Sequence, residues 1–235
     1  MQHLTDAGLL ELWERGREAG PVARAMLLLG AARPDLGEDE RLALPLPERD
    51  AALLELRIAL RGPCLPGCVD CPHCGETLEF ELDGEQLRQA AAAEPRDEFA
   101  LPDGLRFRLP NSGDLLAVAA AGGEADAALA LLQRCCLDAP AGHAWSRATL
   151  AQIEDGMEAQ AVSAELQLRL QCQACAHSWS TVLDMAAWLW EESEQHVLTL
   201  LDEVDRLAAA YHWSERDILA LSPARRRAYL QRCNP

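Results

Sequence analysis

Two Cys-x-x-Cys pairs, far apart in the chain, constrain its fold more than any other feature. Cys71 and Cys74 enclose Pro-His, Cys172 and Cys175 enclose Gln-Ala, and 97 residues separate the two pairs. Short runs with strand-like alternation flank both pairs. Two thiolates at this spacing can reach one metal ion, and two pairs complete a tetrahedral site between two hairpins, as in a zinc ribbon. We therefore predict a structural Zn²⁺ bound by these four cysteines, with a chain that leaves the site and returns to it.

Two alternatives for the cysteines remain open at the sequence level. Cys64, Cys68, Cys71 and Cys74 can form a local metal or iron–sulfur site, although their spacing lacks the usual ferredoxin pattern. A thioredoxin-like redox motif requires a βαβ setting, which neither pair has. The strand-like flanks favour the site made of the two distant pairs, even though the usual separation is only about 15–20 residues.

The remaining cysteines and the nearby histidines are predicted to have ordinary structural positions. His73 and His177 lie beside the pairs, but four thiols are available as ligands, so we interpret both as turn or surface residues. Cys135 and Cys136 fall late in a predicted helix and are assigned to its core. Cys233, near the end of the chain, is predicted to be free.

The charge and cysteine content restrict the class of protein and its compartment. The 235 residues include 21 basic and 38 acidic side chains, which give a net charge of −17 and argue against a nucleic-acid partner. The start of the chain has no signal-peptide pattern, and no apolar run reaches the roughly 18 residues of a membrane span. Nine cysteines without an export signal indicate a reducing compartment, so we expect a cytoplasmic protein.

The segments predict a mostly helical α+β fold. We expect an N-terminal helical region over residues 1–62, a zinc ribbon from residues 63–83 and 165–182, an inserted hairpin with helices over residues 84–164, and a C-terminal helical region over residues 183–235. The C-terminal region is predicted to contain one long helix followed by two short ones, which begin near the Ser-Glu-Arg-Asp and Ser-Pro sequences.

Local patterns add expectations within the first and third regions. Residues 37–40 are predicted to be a solvated connection between helices. Residues 99–109 contain Asp-Gly between two alternating runs and predict a β-hairpin. A helix is predicted over residues 124–136, with an inward face that includes Ala128 and Leu132.

The long C-terminal helix, over about residues 183–211, carries a heptad-like apolar pattern with one polar break. The favoured interpretation is packing on its own domain, and the alternative is a seam that docks a partner. The predicted seam consists of Leu183, Ala187, Trp190, Glu194, Val197, Leu201, Val204, Ala208 and Tyr211.

Arg225, Arg226 and Arg227 form the only basic cluster in the sequence. A solvated helix face is the favoured interpretation, and contact with an acidic patch on a partner is the alternative. We find no nucleophile elbow, phosphate-binding glycine loop or His-Glu-x-x-His motif. Because a zinc ion with four thiolate ligands has no open position, the sequence argues against an enzyme.

The order of these motifs resembles that of zinc-ribbon baseplate proteins and baseplate hub assembly chaperones of contractile phage tails and phage-tail-like injection systems. The resemblance covers most of residues 40–235, and it rests on the order of motifs rather than on any single one. The matching segments are Pro45 to Asp50, Cys71 to Glu76, Leu101 to Gly104, Asp114 to Leu116, Cys172 to Trp179 and Tyr211 to Leu230.

The resemblance implies a non-enzymatic chaperone or minor structural component that binds baseplate or hub proteins of the same gene cluster. Whether such a protein stays in the finished tail particle is left open. The alternative function is a zinc-ribbon adaptor in regulation or nucleic-acid metabolism, against which the net charge counts. A zinc-dependent hydrolase with an unrecognised site is a third hypothesis.

Overall fold

A computed structural model describes residues 4–91, 98–119, 123–138, 145–162 and 167–233. The described part is mostly helical and contains three separate two-stranded antiparallel sheets. The helices are α1 (Asp6–Gly16), α2 (Pro21–Ala32), α3 (Glu38–Ala43), α4 (Leu46–Arg61), α5 (Gly84–Ala91), α6 (Ser112–Val118), α7 (Glu124–Cys135), α8 (Arg147–Val162), α9 (Met185–Tyr211), α10 (Glu215–Leu219) and α11 (Pro223–Cys233). The strands are β1 (Cys64–Asp70), β2 (Thr77–Asp83), β3 (Glu98–Ala100), β4 (Arg106–Arg108), β5 (Gln167–Gln171) and β6 (Ser178–Val182).

Local signals set the ends of the first helices. The Thr5 side chain accepts a hydrogen bond from the Gly8 N–H at the start of α1, and Pro21 occupies the first turn of α2. Gly62 ends α4 with a φ of +84°, a conformation that favours glycine. The helices of this region therefore begin and end where these local signals lie.

Residues 37–40 are solvent-exposed, as predicted, but they are not a connection between helices. Three of these residues begin helix α3, and all four are exposed. The Glu40 carboxylate accepts a hydrogen bond from the Gly37 N–H at 2.7 Å. This bond satisfies one of the unpaired donors at a helix start, and the acidic first turn suits the helix dipole.

The N-terminal helices and the start of α9 share one hydrophobic core with the two cysteine-bearing hairpins. Helices α2, α4 and α9 supply most of its buried side chains, including Leu29, Leu53 and Leu189. Strand β1 adds Leu65, and β5 adds Leu168. The N-terminal helices, the hairpins and the start of α9 therefore pack as one body.

The insert has a small core of its own. Strands β3 and β4 form the predicted hairpin, and their buried side chains pack with those of α7 and α8. Phe107, Leu132 and Ile153 are among the buried members. Ala128, which the sequence placed inward, is exposed, because burial on α7 begins only in its second half, where the helix reaches this core.

Helix α9 packs on its own chain, as the favoured interpretation predicted, and it contacts α1, α2, α4, α10 and α11. The predicted seam is right in part, because Leu183, Trp190, Val197 and Val204 are buried, but its other positions do not follow the prediction. Ala187 is exposed, Leu201 is only half-buried, and Leu189 and Leu200 are fully buried instead. Several helices surround α9, so it buries a wide face with a period of 3.6 residues rather than a narrow seam with a period of 3.5.

The predicted solvated face of the arginine cluster is correct for two of its residues and wrong for the third. Arg225 and Arg227 are exposed, but Arg226 is 2% exposed. Its guanidinium group pairs with Asp6 of α1 and with Glu203 of α9, the latter at 3.0 Å. This network joins the first, ninth and eleventh helices inside the molecule.

Candidate metal centre

The four sulfur atoms of the two Cys-x-x-Cys pairs meet at one point. All lie within 4.8 Å of one another. Cys71 Sγ is 3.7 Å from Cys175 Sγ, and Cys74 Sγ is 3.6 Å from Cys172 Sγ. A disulfide requires about 2.05 Å, so these are not disulfides, and the cluster can hold a metal ion.

Each pair lies in the tight turn of a hairpin. In the first, Asp70 and Thr77 close the β1–β2 ladder. The Cys71 N–H donates to the Glu76 carbonyl at 2.8 Å, and the Gly75 N–H donates to the Cys71 carbonyl at 2.9 Å. Gly75 has a φ of +76°, which glycine adopts without strain.

The second turn repeats this hydrogen-bonding pattern. The Cys172 N–H donates to the His177 carbonyl at 2.8 Å, and the Ala176 N–H donates to the Cys172 carbonyl at 3.0 Å. Ala176 occupies the position equivalent to Gly75 and has a φ of +58°. This left-handed conformation is unfavourable by roughly 1 kcal/mol for a residue other than glycine. The two turns therefore present their sulfur atoms with the same backbone geometry.

The local electrostatics favour ionisation of the Cys172 thiol. Cys71 and Cys172 are buried, whereas Cys74 is exposed and Cys175 half-buried. The backbone N–H groups of Cys175 and Ala174 point at the Cys172 sulfur and lower its pKa to about 7. They stabilise the thiolate, which is the form that binds a metal.

Cys74 shows the effect of crowding among the four thiols. The Glu76 N–H favours its thiolate, but hydrogen bonds with Cys175, Cys172 and Cys71 and partial desolvation outweigh this and raise the pKa of Cys74 to about 12. Four closely spaced sulfur atoms cannot all be ionised without a compensating charge. A divalent cation bound here would supply that charge.

Packing against α9 fixes the first hairpin. The Phe80 ring meets Trp188 edge-on, with centroids 6.1 Å apart. A Cβ atom at Gly67 would lie 2.7 Å from the Trp188 ring, so only glycine allows this approach. The second hairpin leads directly into α9 through Leu183, which is buried in the same core. Both turns are thus carried by hairpins anchored on one surface.

The alternative local site is not assembled. Cys64 and Cys68 are exposed residues of β1 and are not members of the four-sulfur group. Glu81 accepts a hydrogen bond from the Cys64 thiol and raises its pKa. Cys135 is buried as predicted, and desolvation raises its pKa to about 11, which makes it an inert thiol.

The two histidines lie outside the four-sulfur group, as the sequence indicated. His73 is exposed, and its ring stacks on His177 at 5.4 Å, while His177 stacks on Trp179 at 5.9 Å. Sequence reasoning missed this aromatic stack across the two turns. The available signal was that both turns carry a histidine close to a metal-ligand position.

Comparisons of the chain with protein-family models, curated proteins and solved structures found no match. Within the described residues, no helix combines the length and apolar character needed to cross a membrane.

Proposed function

We propose that the chain binds one structural Zn²⁺ through Cys71, Cys74, Cys172 and Cys175, and that the two hairpins then form a zinc ribbon. The sulfur separations support this. Four ligands placed about 2.3 Å from a tetrahedral zinc ion lie about 3.8 Å apart, close to the 3.7 Å and 3.6 Å measured here. All-sulfur tetrahedral coordination is typical of structural zinc.

The proposed role of the ion is to join two hairpins that are not hydrogen-bonded to each other. Each is a separate two-stranded sheet, and such sheets are marginally stable alone. Structural zinc supplies free energy on the order of 10 kcal/mol. An ion at this site fixes both ends of the insert relative to α9.

Metal analysis of the purified chain tests the site. We expect one zinc per chain, and we expect substitution by cobalt to give the absorption bands of four-thiolate tetrahedral coordination. Cys74→Ser should lose the metal, whereas Cys68→Ser, which changes another exposed cysteine of the same hairpin, should retain it. Equal zinc content in both variants would contradict the assignment.

At the level of the cell, we propose a non-enzymatic assembly factor or minor component of the baseplate of a contractile tail or injection system. The order of motifs over residues 40–235 supports this proposal. A closed four-thiolate site without an open coordination position is consistent with a role in protein binding rather than catalysis.

Affinity capture of the tagged chain from cells that express its gene cluster tests the cellular role. Co-sedimentation with sheathed particles would identify a baseplate subunit, and capture with one soluble baseplate protein would identify a chaperone. Recovery of no tail protein in either fraction would refute the proposal. A gel shift with DNA or RNA at low salt would instead favour the nucleic-acid-associated adaptor.

A further inference from the structure

An open groove runs between the first cysteine-bearing hairpin and the start of α9. Its volume is about 770 Å³. Phe80 and Trp188 form its aromatic floor, and the acidic side chains of Glu79, Asp184 and Glu191 are among those that line it. Within the described residues, its lining contains no basic side chain.

The acidic side chains of the groove differ in their partners. Glu192 is already neutralised, because it pairs with Arg57 at 3.0 Å and with Arg61 at 3.5 Å. Glu79 and Glu191 form no ion pair with any residue that the structure describes. The groove therefore keeps uncompensated negative charge beside two half-buried aromatic rings, which suits arginine or lysine side chains.

A second cavity of about 320 Å³ adjoins the groove, and Asp184, Ala187 and Glu191 line both. Trp190 also lines this cavity and is 3% exposed. Its Nε1–H group is buried without an acceptor among the described residues. A buried donor without a partner is unfavourable, so this atom indicates where an incoming acceptor would bind.

The arginines of this cavity are engaged elsewhere. Arg24 lies over the Trp190 ring at 4.8 Å and donates to the carbonyl groups of Gly16 and Arg17. Arg49 donates to Asp50. The indole N–H thus remains as a buried donor, and a backbone carbonyl group is an acceptor of suitable size.

We propose that the groove and the adjoining cavity together bind an extended, basic segment of a partner protein. Arginine or lysine side chains lie over Phe80 and Trp188 and pair with Glu79 and Glu191, and one backbone carbonyl accepts the Trp190 N–H. The lining of α9 from Asp184 to Gln195 spans about 16 Å, the length of about five extended residues. This inference extends the proposed protein-binding function. The choice of a protein segment as the occupant rests on that function.

Titration of the ¹⁵N-labelled, metal-loaded chain tests the proposal. The probe is a peptide of about eight residues that alternates glycine and arginine, and the control peptide alternates glycine and glutamate. We expect saturable shifts of the Trp188 and Trp190 indole signals with the arginine peptide only. The signal of Trp213, which packs among the C-terminal helices, should not move.

A double variant, Glu79→Gln with Glu191→Gln, should weaken binding about tenfold, since it removes two ion pairs between the groove and the peptide. The matched control, Asp202→Asn with Asp205→Asn, removes the same charge from exposed positions of α9 outside the groove and should bind normally.

Three outcomes would overturn the proposal. The first is equal weakening in both double variants, which indicates nonspecific attraction. The second is an unmoved Trp190 signal. The third is shifts that depend on protein concentration without peptide, which assign the groove to a second copy of the chain. None of these outcomes alters the metal or particle-capture tests. A wrong assignment of the groove can therefore be distinguished from a wrong proposed function.

Discussion

At the scale of single residues, buried charges connect segments that are distant in the sequence. Arg226 donates to Asp6, to Glu203 and to the Leu221 carbonyl. His196 lies 3.2 Å from the same Asp6 carboxylate. Loss of the Arg226 guanidinium would leave the partly buried carboxylates of Asp6 and Glu203 without their partner, and this kind of loss is strongly destabilising.

Arg226→Ala should therefore lower the free energy of unfolding by about 3–5 kcal/mol. Arg225→Ala, the matched control at the exposed neighbouring position, should change it by less than about 0.5 kcal/mol. Urea denaturation followed by circular dichroism measures both values. Similar stabilities of the two variants would show that the network is not important for stability.

The same network predicts a dependence of stability on pH. Burial alone would raise the pKa of Asp6, but hydrogen bonds from Arg226 and His196 outweigh it and lower that pKa below its usual value. A carboxyl group with a lowered pKa contributes stability above its unfolded pKa of about 4, and this contribution is lost as the pH falls through the folded pKa.

Asp6→Asn should accordingly be less stable than the parent chain at neutral pH and should lose less stability between about pH 5 and pH 2. Denaturation midpoints across that range measure the difference in slope. Parallel curves for the variant and the parent would contradict the assignment of this pH dependence to Asp6.

At the scale of secondary-structure elements, close approaches between helices depend on positions without a side chain. Gly16, at the end of α1, lies under the Trp190 ring of α9, and a Cβ atom there would be 2.6 Å from Trp190 Cζ3. Gly8, in the same helix, has Leu4 Cδ1 as its nearest neighbour at 3.3 Å. One helix thus contains a tightly packed glycine and a more open one.

Gly16→Ala should destabilise the chain by about 1–3 kcal/mol, because Trp190 must move. Gly8→Ala should be near neutral, since alanine favours the helix by about 1 kcal/mol, which offsets the small adjustment of Leu4. Thermal unfolding of both variants measures the difference. A stable Gly16→Ala variant would show that α1 can move away from α9 at little cost.

At the scale of the whole molecule, two hydrophobic cores have different relations to the proposed metal. The main core includes residues of both cysteine-bearing hairpins. The core of the insert, around Phe107 and Ile153, contains none of them. Metal loss should therefore affect the two cores unequally.

Chelation should increase amide hydrogen exchange in β1, β2, β5 and β6 and at the start of α9. The segments around Phe107 and Ile153 should keep most of their protection, because their packing does not involve the metal. Hydrogen-exchange mass spectrometry with and without a chelator measures this. Uniform loss of protection would show that the insert cannot remain folded without the metal.

The sequence by itself determined the features that depend on neighbouring residues. The Thr5 cap, the Pro21 helix start, the Gly62 helix end and the hairpin turn at Gly104 follow from backbone preferences within a few residues. The Cys-x-x-Cys spacing likewise indicated that the two thiols of each pair can reach one ion, because both lie in one turn, but it left open whether the second pair or Cys64 and Cys68 complete the site.

Only the tertiary structure decided which faces are buried and which charges are paired. Ala187 belongs to the predicted seam and Leu200 does not, but the elements packed around α9 bury Leu200 and leave Ala187 exposed. Arg226 resembles Arg225 in sequence, yet it is buried because Asp6 and Glu203 meet at its position. These outcomes depend on contacts between residues far apart in the chain, so no short window of sequence contains them.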